Sequence, residues 1–156
     1  FAGFDEETRE DKHLTFASDA EAVLIRKLPT FAGAGGGGSG DDEEGAISFS
    51  RSLVFNELHA KPENLLAVQV DGNSMDPDFH SGDQILVDTR KTSLPQPGAF
   101  CLWEGDGSVI KYLQRVHGSE PPKVRVISRN DLYSPEERLV AECAIQGRVV
   151  WFGRRV

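Results

Sequence analysis

From Leu65 onward, apolar and polar positions alternate with a period of two. "LLAVQV" (65–70), "QILVD" (84–88), "GAFCLW" (98–103), "SVIKYLQRV" (108–116), "KVRVIS" (123–128) and "AIQGRVVWFG" (144–153) are short runs rich in β-branched and aromatic residues. Side chains alternate between the two faces of a strand, so each run predicts a strand. The clusters between them, "HSGD", "LPQPG", "EGDG", "HGSEPP" and "SRNDLYSPEE", are turn-forming. Many short strands joined by tight turns predict a mostly-β, partly closed sheet. One departure precedes them. In "SFSRSLVFNELHAKPEN", Leu53, Val54, Glu57 and Leu58 fall at near-helical spacing before Pro62, which predicts one short helix. Upstream, residues 1 to about 24 are acidic and polar without sustained period, and a glycine run with four acids follows. The expected organisation is an arm over 1–27, a loop over 28–45 and one folded domain over 46–156.

Composition narrows the function classes. A length of 156 residues suits one domain, and a formal net charge of -8 argues against this piece gripping a phosphate backbone. No run has the apolar length of a membrane-spanning helix, so a cytoplasmic protein is expected. The chain opens on Phe1, as expected of a piece of a longer protein. Cys101 and Cys143 lie far apart with no metal-ligand spacing, which predicts small apolar filler and neither metal nor cofactor. His13, His59, His80 and His117 form no evident triad.

Two residues carry the candidate chemistry. Ser74 stands in "DGNSMDP", after a strand, with Gly72 before it and Pro77 after. A glycine there permits close backbone approach, and a short turn can aim adjacent backbone N–H groups at one point, as an oxyanion requires. Serines in turns are nonetheless common. Strand alternation puts Lys111 on one face with Val109 and Leu113, opposite Ile110, Tyr112 and Gln114. Such a lysine either covers apolar surface with its stem or is desolvated enough to be neutral and act as a base. A neutral amine beside a hydroxyl could activate Ser74 without a histidine.

"VDGNSMDPDFHSGDQILVD", "VIKYLQR" and "VISRNDLY" together resemble the self-cleaving peptidase domain of LexA and the lambda-type phage repressors, a family that includes the mutagenesis protein UmuD. Its pattern is Gly-x-Ser-Met-x-Pro, Gly-Asp before an apolar strand, and a lysine in a later strand, matched here by Gly72, Ser74, Met75, Pro77, Gly82, Asp83 and Lys111. The closing "IQGRVVWFGR" resembles the family's last strand.

The resemblance implies a LexA/signal-peptidase-like fold with one short helix and an N-terminal arm. It also implies Ser74 as nucleophile, Lys111 as general base, and the backbone N–H groups of Ser74 and Met75 as oxyanion donors. The cut is expected at Ala32-Gly33, or alternatively at Ala34-Gly35. Asp83, Asn73 and Asn130 are expected to shape turns. Implied partners are a second copy of the chain, the RecA filament on single-stranded DNA, and operator DNA reached through a helix-turn-helix domain that this sequence lacks. Three other readings remain open: a dimerisation or sensing domain with a vestigial dyad, a UmuD-like polymerase accessory, and a signal peptidase, for which no membrane anchor is visible.

Overall fold

The computed structural model describes residues 21–28 and 45–156. Strands form where period-two patterning predicted them: β3 Leu65–Gln69, β4 Gln84–Asp88, β5 Gly98–Trp103, β6 Ser108–Val116, β7 Lys123–Ile127 and β9 Ala144–Gly153. Three strands were not anticipated. β1 Ala22–Arg26 and β2 Ala46–Ser50 form a separate antiparallel pair, and β8 Glu136–Leu139 is built from the polar run "EERL". β8 lies at the outer edge of its sheet, where no apolar face need be buried and the sequence signal fades. The expected helix is one wide turn, Leu53–Glu57, closed by Leu58 N–H donating to Leu53 O at 2.9 Å, five residues back.

The main sheet runs β3-β4-β9-β5-β6-β7-β8, antiparallel throughout. β9, last in the chain, enters between β4 and β5 and shifts register against both. Such bulges bend a strand and increase local twist. Gly147 lies in the bent stretch, where a Cβ would run into the backbone of Asp88. The bending has a consequence for the site. β3 and β6 are separated by three strands in hydrogen-bonding order, yet Leu66 and Val68 of β3 share one buried cluster with Ile110 of β6, Cys101, Ile85 and Met75. The sheet therefore curls into the partly closed form that the sequence predicted.

Two further clusters complete the core. Phe100, Leu102, Leu113, Val124 and Val126 pack on the face opposite Ile110. Ile25, fully buried, joins Val54, Leu65 and Leu86, so β1 packs on the domain. Each such apolar side chain contributes about 1.5–3 kcal/mol on burial. Beyond β1, Leu28 N–H donates to Ala67 O at 2.9 Å and Lys27 N–H to Gly45 O at 2.8 Å. Leu28 thus lies beside β3, and Gly45 beside Lys27.

Cys101 is fully buried and Cys143 half-buried, and both are free thiols. Burial pushes the Cys101 thiol up to about 12, so it stays protonated and serves as packing.

Candidate active site

The β3–β4 connection carries Ser74. Its base is closed by Val70 N–H to Asp83 O at 2.9 Å and Gly82 N–H to Val70 O at 2.8 Å. Above it, Asp76 N–H donates to Asn73 O at 3.1 Å and Phe79 N–H to Met75 O at 3.0 Å. Met75, 2% exposed, anchors the turn in the core. Among the described residues, the backbone N–H groups of Ser74 and Met75 donate no hydrogen bond, so both remain available to an anion. Gly72 has φ +80° and no heavy atom within 4 Å of where a Cβ would stand. The glycine is therefore required by its left-handed backbone. Gly72→Ala is expected to cost about 1–2 kcal/mol, the penalty of that conformation alone, measured by urea unfolding.

Asp83 holds the turn from below. It is 1% exposed, accepts His80 N–H at 2.8 Å, and takes a two-pronged contact from Arg154 at 2.8 and 2.7 Å. The Arg154 hydrogen bonds outweigh burial and lower the Asp83 carboxyl below its ordinary value. The turn role expected of Asp83 thus has a partner 71 residues away that no local motif announces.

Lys111 lies mid-β6, half-buried. Desolvation lowers its pKa, with Glu104 and Glu136 opposing and Arg138 assisting. The three charges are themselves joined, Arg138 bridging Glu104 at 2.7 Å and Glu136. Lys111 Nζ donates to Ser128 Oγ at 2.8 Å and stands 5.7 Å from the centre of the Tyr133 ring. Among the described residues, no hydrogen bond joins Lys111 to Ser74.

One segment, 128–133, touches both candidates. At its start Ser128 meets Lys111. Two residues on, Asn130 N–H donates to Ser74 O at 3.0 Å and Asn130 Nδ2 to Asn73 O at 2.9 Å, while the Tyr133 hydroxyl donates to Asn73 Oδ1 at 2.9 Å. Asn130 Oδ1 also accepts Leu132 N–H at 3.0 Å, the turn-shaping bond expected of it. Alongside, Asp78 of the serine loop accepts the Tyr112 hydroxyl at 2.6 Å and pairs with Arg129 at 3.2 Å. A cavity of about 70 Å³ opens between the Ser74 turn and the start of β6, lined by Gln69, Asp71, Ser74 and Met75 on one side and Ser108 and Val109 on the other.

The structure therefore brings the Ser74 turn and the Lys111 strand to one place. Ser128, Tyr133, Asp78 and Arg154 were missed in the sequence reading; "VISRNDLY" was noted, but nothing in it marks which residues turn inward. Ala32, Gly33, Ala34 and Gly35 lie outside the described residues. No three His, Cys, Asp or Glu among the described residues form a metal-holding group, and no described helix is long and apolar enough to cross a membrane.

Residues 29–150 match the Peptidase S24-like family. The chain belongs to that family. The resemblance to LexA and the phage repressors is thereby borne out. Two curated relatives accompany the S24-like match. The "HTH-type transcriptional regulator PrtR" of Pseudomonas aeruginosa is 27% identical over 139 residues, covering 86% of this chain and 53% of its own length. "Repressor protein CI" of Enterobacteria phage phi80 is 27% identical over 144 residues, covering 91% of this chain and 60% of its own length. The chain thus spans little more than half the length of these S24-like regulators.

Proposed function

We propose that this chain is the C-terminal regulatory domain of a LexA- or phage-repressor-like transcriptional repressor, and that it cuts its own backbone at an Ala-Gly bond. The observation that carries the reading is segment 128–133, which bonds Lys111 through Ser128 Oγ and the Ser74 turn through Asn130.

In this mechanism neutral Lys111 Nζ takes the Ser74 hydroxyl proton as Oγ attacks the carbonyl of Ala32 or, alternatively, Ala34. The resulting oxyanion is met by the N–H groups of Ser74 and Met75. Collapse breaks the C–N bond, and Lys111 returns its proton to the leaving glycine amine. Water, deprotonated by the same amine, then attacks the ester; Ser74 leaves and recovers the proton. Tethering makes so spare a site usable, because an intramolecular bond at near-attack geometry gains about 7–11 kcal/mol of barrier. Leu28, bonded to the strand leading to Ser74, precedes Ala32 by only four positions, which supports delivery of this segment.

Cleavage would separate a DNA reader from a domain that pairs two chains, so two operator half-sites would no longer be held as one unit. The proposed partners are a second copy of the chain and, as trigger, a RecA–DNA filament in a DNA-damage response. A second reading, pairing and sensing without cleavage, draws on the contact of Lys111 with Ser128 rather than Ser74. Incubation from about pH 7 to 10 with product masses recorded separates the two. A cut in segment 29–44, absent in Ser74→Ala, supports the peptidase. An intact chain with and without activated filament leaves the second reading.

A further inference from the structure

Lys111 ends a long, freely rotating side chain, and a base is useful only if its lone pair faces the proton it must take. Its one hydrogen-bond partner among the described residues is Ser128 Oγ, at 2.8 Å. Ser128 is half-buried at the end of β7, and the stretch it begins is fastened two residues later to Ser74 O and Asn73 O. Arg129, its immediate neighbour, is tied to Asp78 of the serine loop. The hydroxyl that meets the amine is thus fixed in the same frame as the candidate nucleophile.

We infer that Ser128 is the positioning residue of this site: its hydroxyl accepts one N–H of Lys111 and so directs the amine's remaining valences toward the Ser74 turn. The inference deepens the peptidase reading and rests on it. A neutral amine has two N–H groups and one lone pair. Anchoring one N–H removes free rotation about the last side-chain bond, so the lone pair is presented in a narrow range of directions. The same oxygen also accepts from the ammonium, more strongly because that bond is charge-assisted. Ser128 therefore holds the group in both states of the proton cycle, and removing it favours the neutral amine while freeing it to swing. The other charges near Lys111 are Glu104, beyond the end of β5, and Arg138 and Glu136 of β8; the Tyr133 ring faces it as well. None of these is altered by a change at Ser128.

The test compares the full chain with Ser128→Ala and Ser128→Thr, after circular dichroism shows all three folded. Cleavage is followed from about pH 7 to 10, and Lys111 is titrated directly by NMR, its signal assigned with Lys111→Ala. Ser128→Ala is expected to lower the plateau rate by about 10–100-fold, the scale of a misplaced group. It is also expected to move the Lys111 titration to lower pH, and Ser128→Thr to restore both. An unchanged plateau with an unmoved titration overturns the inference and leaves the peptidase reading intact. If no Ser74-dependent cut occurs, that reading fails by itself and the titration decides. A shift that threonine restores upholds Ser128 as the holder of the amine; an unmoved titration overturns it.

Discussion

Lys111→Ala is expected to slow self-cleavage by about 10²–10⁴-fold, the usual worth of a positioned base, and to remove its dependence on pH in the alkaline range. With the neutral amine as the proposed base, the unaltered chain should cut faster as pH rises and level off above the pKa of Lys111. Desolvation in the half-buried strand sets that midpoint below the ordinary lysine value of about 10.4. Lys111→Arg should not rescue, because a guanidinium stays charged at every usable pH. Timed mass spectrometry checks each point; a rate that stayed flat with pH in the unaltered chain would remove Lys111 from the mechanism.

The same shift has a thermodynamic counterpart. A lysine whose folded pKa is depressed costs stability at every pH below that value, and the cost fades as pH rises to the unfolded value of about 10.4. Lys111→Met is therefore expected to raise the melting temperature near pH 7 while abolishing the chemistry, with the gain vanishing near pH 10.4.

Arg154→Ala carries the largest expected stability loss at neutral pH, read as a lower melting temperature and a lower urea midpoint. Arg154 is the two-pronged partner of a carboxylate that is 1% exposed, and its removal leaves that charge buried with only His80 N–H facing it. The pH dependence has a definite sign. Asp83 has a folded pKa below its unfolded one, so the stability it contributes is present above about pH 4 and lost as pH falls through the folded value. Without Arg154 the folded pKa rises, so acid unfolding should begin at higher pH. Urea unfolding of the two proteins should give midpoints that differ at pH 7 and converge once Asp83 is protonated in both. A constant difference across that range would rule out the pair as the cause. Cleavage should slow as well, since Asp83 O and Val70 N–H close the base of the serine turn.

Much of the fold was legible because strand periodicity is a local signal. Six of the strands of the main sheet announce themselves as short β-rich runs between turn-forming clusters, and the Ser-Met-x-Pro and lysine motifs sit on elements placed in advance. β1, β2 and β8 escaped, since β1 and β2 are five-residue pieces flanking a glycine run and β8 is a polar edge strand. The sequence by itself determined a mostly-β sheet and named Ser74 and Lys111 as the candidates for the chemistry. Only the tertiary structure decided that the serine turn and the lysine strand are tied to one segment, 128–133. Ser74 follows β3 and Lys111 lies in β6, with three strands between, and it is the curl of the sheet around bulged β9 that brings the Ser74 turn against β6, where Ser108 and Val109 line one cavity with it. The contacts that complete the site, Ser128 to Lys111, Asn130 to Ser74 and Arg154 to Asp83, join residues 17, 56 and 71 positions apart. No local period encodes such pairs, because they depend on how strands distant in sequence are stacked and bent together.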